Sequence, residues 1–163
     1  MMQPNSQGLE FLYAAGIGNE EKIQQYLNGG QLIDFQNHEY QSALHLAAAM
    51  GYNNIVVILA DRGANLNINS KLGFTPLHYA CKEGQFQCAK TLIEKGADVN
   101  AMSSIGFTPL YVAAQGNFVD IVKLLLKHGA DHRRPLRIGR FIPLHVALKQ
   151  GHENVVRILS EAN

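Results

Sequence analysis

Apolar residues recur along the chain in short bursts at helical spacing, and glycine closes each burst. The pattern is clearest between residues 70 and 100. Leu77, Ala80 and Cys81 fall at i, i+3 and i+4, one buried stripe on a short helix. Thr75 is placed to cap that helix with its hydroxyl. Pro76 suits the first helical position, where a backbone N–H has no partner within the helix. Gly84 predicts the stop, because it accepts φ > 0. Cys88, Ala89, Leu92 and Ile93 then make the inward face of a second short helix, which Gly96 ends. Ser70 to Phe74 reads as a glycine-containing turn ahead of the pair.

The same arrangement repeats. Thr75-Pro76-Leu77-His78 returns 33 residues later as Thr108-Pro109-Leu110-Tyr111, and 33 residues earlier the slots hold Ser42-Ala43-Leu44-His45. Ile142-Pro143-Leu144-His145 follows after a step of 34. A second landmark keeps the 33-residue step through Gly63-Ala64-Asn65, Gly96-Ala97-Asp98 and Gly129-Ala130-Asp131. A weaker copy opens the chain with Phe11, Ala14, Gly18, Ile23, Leu27 and Gly30. Ala47, Ala80, Ala113 and Ala147 are small enough to let paired helices approach closely.

These landmarks resemble the ankyrin repeat, marked by Gly-x-Thr-Pro-Leu-His-x-Ala-Ala, a Gly-His corner, Ile-Val-x-x-Leu-Leu and Gly-Ala-Asp-Val-Asn. The resemblance covers about residues 9–163. It implies an all-α solenoid of about five stacked helix–turn–helix units with projecting β-turn fingers. After a flexible N-terminus at 1–8, the expected units are 9–36, 37–69, 70–102, 103–135 and 136–163, here units one to five. Several slots depart from the pattern. Unit two has Ser42 and Ala43 in place of Thr-Pro, which predicts a weaker cap. Unit four has Tyr111 in the His slot and Asn117 in the corner glycine slot, which Asn tolerates better than most residues. In unit five Ile142 replaces Thr, His132-Arg133 stand for Val-Asn, and the approach from Asp131 to Arg140 carries one extra residue. Lys22 and Ser160 occupy slots that are apolar elsewhere, as capping units require. Ser160 fits an array that stops here, while Asn163 stands in the slot of a terminating Gly and fits a longer protein equally well.

Composition narrows the function. With 47% hydrophobic residues the chain is expected to fold. Lys+Arg 14 against Asp+Glu 13 leaves a net charge of +1, which disfavours nucleic acid as the main partner. The two cysteines, Cys81 and Cys88, make no disulfide framework and read as reduced core thiols. The N-terminus lacks a signal-peptide pattern, and the longest apolar run, Ile55 to Ala60, is too short to span a bilayer. A monomer in the cytoplasm, with the nucleus also open to it, is expected. No membrane insertion, no cofactor and no small-molecule substrate are expected.

His45, His78 and His145 are the residues most easily mistaken for a catalytic set. They sit at one slot of successive units, so they do not converge on one substrate. The resemblance gives this His a structural role, bonding neighbouring backbone and turn groups. His132 and His152 read as surface residues. HExxH, a phosphate loop and a Ser-centred elbow are all missing from the sequence, so no enzyme is expected.

What remains is surface. In this architecture fingers and first helices line one concave face, and specificity falls to positions that packing leaves free. Those singled out are Gln41 and Met50; Lys71, Leu72, Phe74 and Lys82; Ser104, Ile105, Phe107 and Gln115; and Arg137, Ile138, Arg140, Phe141 and Lys149. Phe74, Phe107 and Phe141 share one slot and predict a ladder along the fingers. The ladder is either finger packing or an apolar strip for a partner's anchors. On the second reading, Phe74→Ala with Phe107→Ala leaves the thermal midpoint nearly unchanged and weakens binding. The basic run from His132 to Arg140 is either a solvated loop or an anchor for an acidic peptide. Finally, Leu92, Asp98-Val99 and Asn100 resemble the substrate pattern of an asparaginyl hydroxylase, with Asn67 a poorer match. The simpler reading of Asn100 is an Asn that bonds its turn. The expected function is a protein-binding scaffold. A regulatory arm of a larger enzyme and a nucleic-acid-associated protein are the rivals.

Overall fold

The computed structural model describes residues 6–137 and 139–162. Among these residues ten helices alternate with turns: α1 (Ser6–Gly16), α2 (Glu20–Asn28), α3 (Ala43–Met50), α4 (Asn53–Asp61), α5 (Pro76–Lys82), α6 (Phe86–Glu94), α7 (Pro109–Gln115), α8 (Val119–Lys127), α9 (Pro143–Gln150) and α10 (Glu153–Glu161). They form five hairpins. Each first helix packs on the first helix of the next hairpin, and each second helix on the next second helix. No β-strand occurs among the described residues, and the one isolated antiparallel bridge joins Gln36 to Ser42. This is the all-α solenoid that the resemblance implies.

One continuous core runs along the stack, because every hairpin contributes the same slots. Phe11, Leu44, Leu77 and Leu110 are buried from the first helices, and Ile23, Ile55, Cys88, Ile121 and Val155 from the second. Ala14, Ala47, Ala80, Ala113 and Ala147 are buried between paired helices, where a larger side chain would force them apart.

The local signals act as their chemistry requires. Thr75 and Thr108 cap α5 and α7 through their hydroxyls. At α3 Ser42 and His45 form a capping box, in which Ser42 N–H donates to His45 Nδ1. Corner residues take positive φ, and Asn117 does so at 59° in a slot where the other units use Gly. Residues 1–5 lie outside the described residues, but Ser6 to Gly8 already belong to α1. Gly8 is buried, and a Cβ there would lie 2.5 Å from the Phe35 ring, so the helix packs from its first turn.

Candidate functional site

The turn before each first helix projects as a finger. Ser70 N–H donates to Phe74 O (2.9 Å) and Ser103 N–H to Phe107 O (2.9 Å), closing five-residue tips. The Ser70 and Ser103 hydroxyls accept from the Phe74 and Phe107 N–H groups. In unit five Leu136 N–H bonds Phe141 O (2.8 Å), so the tip holds six residues. The extra residue seen in the sequence therefore enters the tip. One backbone bond joins each finger to the next: Lys71 N–H to Glu39 O, Ser104 N–H to Leu72 O, and Arg137 N–H to Ile105 O. This closeness explains Gly73 and Gly106, where a Cβ would meet Ser104 N at 2.8 Å and Arg137 N at 2.7 Å.

Histidines tie the fingers to the helices. His45 Nδ1 accepts from Ser42 N–H (3.1 Å), and His78 Nδ1 accepts from Thr75 N–H (3.1 Å). Because Nδ1 accepts, Nε2 carries the proton. It donates to Phe74 O from His45 (2.9 Å) and to Phe107 O from His78 (2.8 Å), each on the next finger. Burial pushes both imidazoles down to about 4, against the opposing effect of those carbonyl bonds. These rings are therefore neutral structural ties at neutral pH.

The relay breaks at the fourth junction. Tyr111 stacks on Phe107 (4.9 Å, 13°) and sends no bond to the Phe141 carbonyl. Tyr111→His is expected to restore that bond and slow amide hydrogen exchange in α9. Unchanged exchange there, measured by mass spectrometry, would count against the relay as a tie between units. His145 itself is exposed and its ring accepts only from Ile142 N–H (3.2 Å).

A second set of bonds links the stretches that follow the second helices. Asp34, Asn67 and Asn100 accept from the backbone N–H of Asn65, Asp98 and Asp131 in the following unit. Asn100 also donates its amide to Gly129 O (3.1 Å). A hydroxylase would meet an Asn100 side chain already bonded on both its oxygen and its nitrogen. Corner residues add further ties, Gln85 to Ala49 O and His152 to Gln115 O. His152 and His132 are partly exposed.

Several free positions on the finger and first-helix side carry large apolar side chains. Tyr40, Met50, Leu72 and Ile105 are 55%, 56%, 65% and 46% exposed. Lys82, Ser104, Gln115, Arg137, Arg140 and Lys149 are exposed beside them, and Gln41 is half-buried. Ile138 lies outside the described residues. Tyr40 is not singled out by the sequence, because it stands in a glycine slot. Its φ of 56° puts it at the fingertip. The Phe ladder is partly structural. Phe74 and Phe107 are half-buried against the core, 6.1 Å apart, with Phe74 edge-on to His78 and Tyr79. Their joint replacement by alanine is therefore expected to lower the thermal midpoint, unlike the neutral outcome expected from sequence. Phe141 is 52% exposed.

Groups suited to catalysis do not converge here. Cys81 and Cys88 are buried free thiols; desolvation pushes Cys81 far up and Cys88 to about 11. Among the described residues no group of three or more His, Cys, Asp or Glu could hold a metal ion. The hollows are shallow and open; one of about 520 Å³ lies beside Leu126 and Ile158 on the second-helix side.

The family model for ankyrin repeats matches residues 11–103 and 101–163. The chain belongs to the ankyrin-repeat family. Ankyrin repeats generally mediate protein–protein interaction and are generally non-catalytic. Similar ankyrin-containing stretches occur in larger proteins. A stretch of 69 residues is 30% identical to serine/threonine-protein kinase 12 of Arabidopsis thaliana, covering 42% of this chain and 15% of that protein. A stretch of 79 residues is 35% identical to protein phosphatase 1 regulatory subunit 12A of Rattus norvegicus and of Mus musculus, covering 45% of this chain and 8% of each. The chain thus matches less than a sixth of the length of these relatives. No helix among the described residues is long and apolar enough to cross a membrane.

Proposed function

We propose that this ankyrin array is a protein-binding scaffold that holds a partner protein or peptide across its fingers and first helices. One observation carries the reading: the large apolar side chains of Tyr40, Met50, Leu72 and Ile105 stand exposed on that side, at slots the stack does not use. Exposed apolar residues on a rigid ridge gain by covering, and a preformed surface loses little entropy when it binds. The shallow hollows offer no enclosure for a small molecule. The protein works as a monomer inside the cell in this reading.

Leu72→Ala with Ile105→Ala tests it. Both side chains are exposed, so stability is expected to change by less than about 0.5 kcal/mol per site. Immobilised wild-type protein should capture at least one cellular protein that the double variant loses. Lys90→Ala, on exposed α6 surface, serves as the control and should retain it. Capture that is indifferent to the double variant would refute the assignment of this face.

A second reading is favoured by the relatives' names, a kinase and a phosphatase regulatory subunit. On that reading the array is the regulatory arm of a larger enzyme, and the partner it holds is a substrate or catalytic subunit.

A further inference from the structure

The finger and first-helix side changes character along the stack. Units one and two expose apolar groups there, Tyr13, Ile17, Tyr40 and Met50. Unit four is neutral: residues 99–119 contain no Asp, Glu, Lys or Arg, and Ile105 is exposed. Unit five is cationic. No Asp or Glu occurs between Asp131 and Glu153. Arg137 and Arg140 stand exposed on the six-residue fingertip, and Lys149 stands exposed in the last turn of α9.

On the finger and first-helix side these three cations differ from Lys71 and Lys82, which each stand beside a carboxylate. Lys71 pairs with Glu39 (3.4 Å), Lys82 with Glu83 (3.9 Å), Lys90 with Glu94 (3.9 Å), and Lys95 with Asp61. Within the same loop Arg134 pairs with Asp131 (3.5 Å). Among the described residues no carboxylate lies within 4.0 Å of Arg137, Arg140 or Lys149. Exposed Phe141 sits between the fingertip and α9, its ring 6.1 Å from that of His145. In a chain of net charge +1, local positive charge is thus gathered around an apolar patch at one end of the ridge.

We infer that the finger and first helix of unit five seat an acidic segment of the partner, an extended peptide with carboxylates flanking an apolar anchor. Arg137 and Arg140 receive carboxylates, which match the guanidinium fork. Lys149 takes a further one as a point charge, and the anchor packs on Phe141 and Ile105. The inference deepens the scaffold reading and rests on it. A nucleic acid fits less well. Its backbone would need positive charge continued along several units, and the neighbouring finger and helix carry none.

Selection from a displayed library of random peptides on the wild-type protein tests the inference without assuming a partner. Recovered sequences should be enriched in Asp and Glu beside Phe, Leu or Ile. The tightest, made synthetically, should weaken about tenfold or more with Arg137→Glu plus Arg140→Glu, and again when its own Asp and Glu become Asn and Gln. Its affinity should fall from low to high salt. Lys127→Glu, at the exposed end of α8, should leave it unchanged, and equal thermal midpoints confirm that both variants fold. Neutral peptides whose binding depends on Leu72 would overturn the acidic-segment inference and leave the scaffold reading standing. Tight binding of polyuridylate lost in the same arginine variant, with no acidic peptides recovered, would reassign the patch to nucleic acid. Recovery of no peptide at all would strike both readings.

Discussion

His78→Ala is expected to destabilise the fold by about 3 kcal/mol, while His145→Ala, at the same slot in the last unit, should change it by less than about 0.5 kcal/mol. The two residues have the same side chain and the same helical position, so the difference isolates the tie between units. His78 is fully buried. Its ring satisfies Thr75 N–H on one side and Phe107 O on the other. Alanine leaves Thr75 N–H without that acceptor and opens a ring-sized void. Phe107 O keeps its bond from Ser103 N–H, which limits the loss. His145 is exposed, and its ring accepts from Ile142 N–H of its own unit. Denaturant unfolding of the two variants decides the matter, and equal losses would mean that the slot matters only for its own helix.

Acid should weaken the fold well before carboxylates neutralise. Burial holds His45 and His78 at about 4 in the folded protein. For His78 the Phe107 carbonyl opposes that shift, nearby His45 adds to it, and Asp98 opposes it. An unfolded chain takes up protons on histidine near 6.5. Between those values the unfolded state binds more protons, so stability rises with pH there. The full contribution is present above about pH 6.5 and is lost as pH falls toward 4. By pH 4.5 the loss is about 2–3 kcal/mol for each of the two histidines. The stereochemistry agrees with this sign, because a proton on Nδ1 removes the acceptor for the cap N–H. Unfolding free energy that is flat from pH 7 to pH 5 would show that these rings do not bear on stability.

The stack is legible in the sequence because its signals are local and repeated. Leu77, Ala80 and Cys81 mark a buried stripe by spacing alone, and Thr75-Pro76 mark its start. Asn117 reads as a tolerated corner residue and adopts the expected backbone. Bonds between residues about one unit apart escape such a reading, because no local pattern records them. Asn67 to Asp98 N–H and Gln85 to Ala49 O are of this kind. The Phe ladder shows the other limit. Slot equivalence places Phe74, Phe107 and Phe141 in one row, but their exposure depends on the neighbour that each ring meets. Phe74 meets the next finger and the rings of His78 and Tyr79, whereas Phe141 meets the ring of His145 and stands exposed. The residues proposed for binding are recognisable as those that packing does not claim. Tyr40 escapes because only the folded backbone reveals that a tyrosine occupies a left-handed turn.

The six-residue tip has a bearing on how such arrays diversify. Its surplus residue is absorbed between Leu136 and Phe141, while Arg137 still meets the preceding finger and Pro143 still opens its helix on schedule. Length can therefore vary at the rim without disturbing the register of the column beneath. Insertions that carry new chemistry can accumulate at that margin while the scaffold keeps its period.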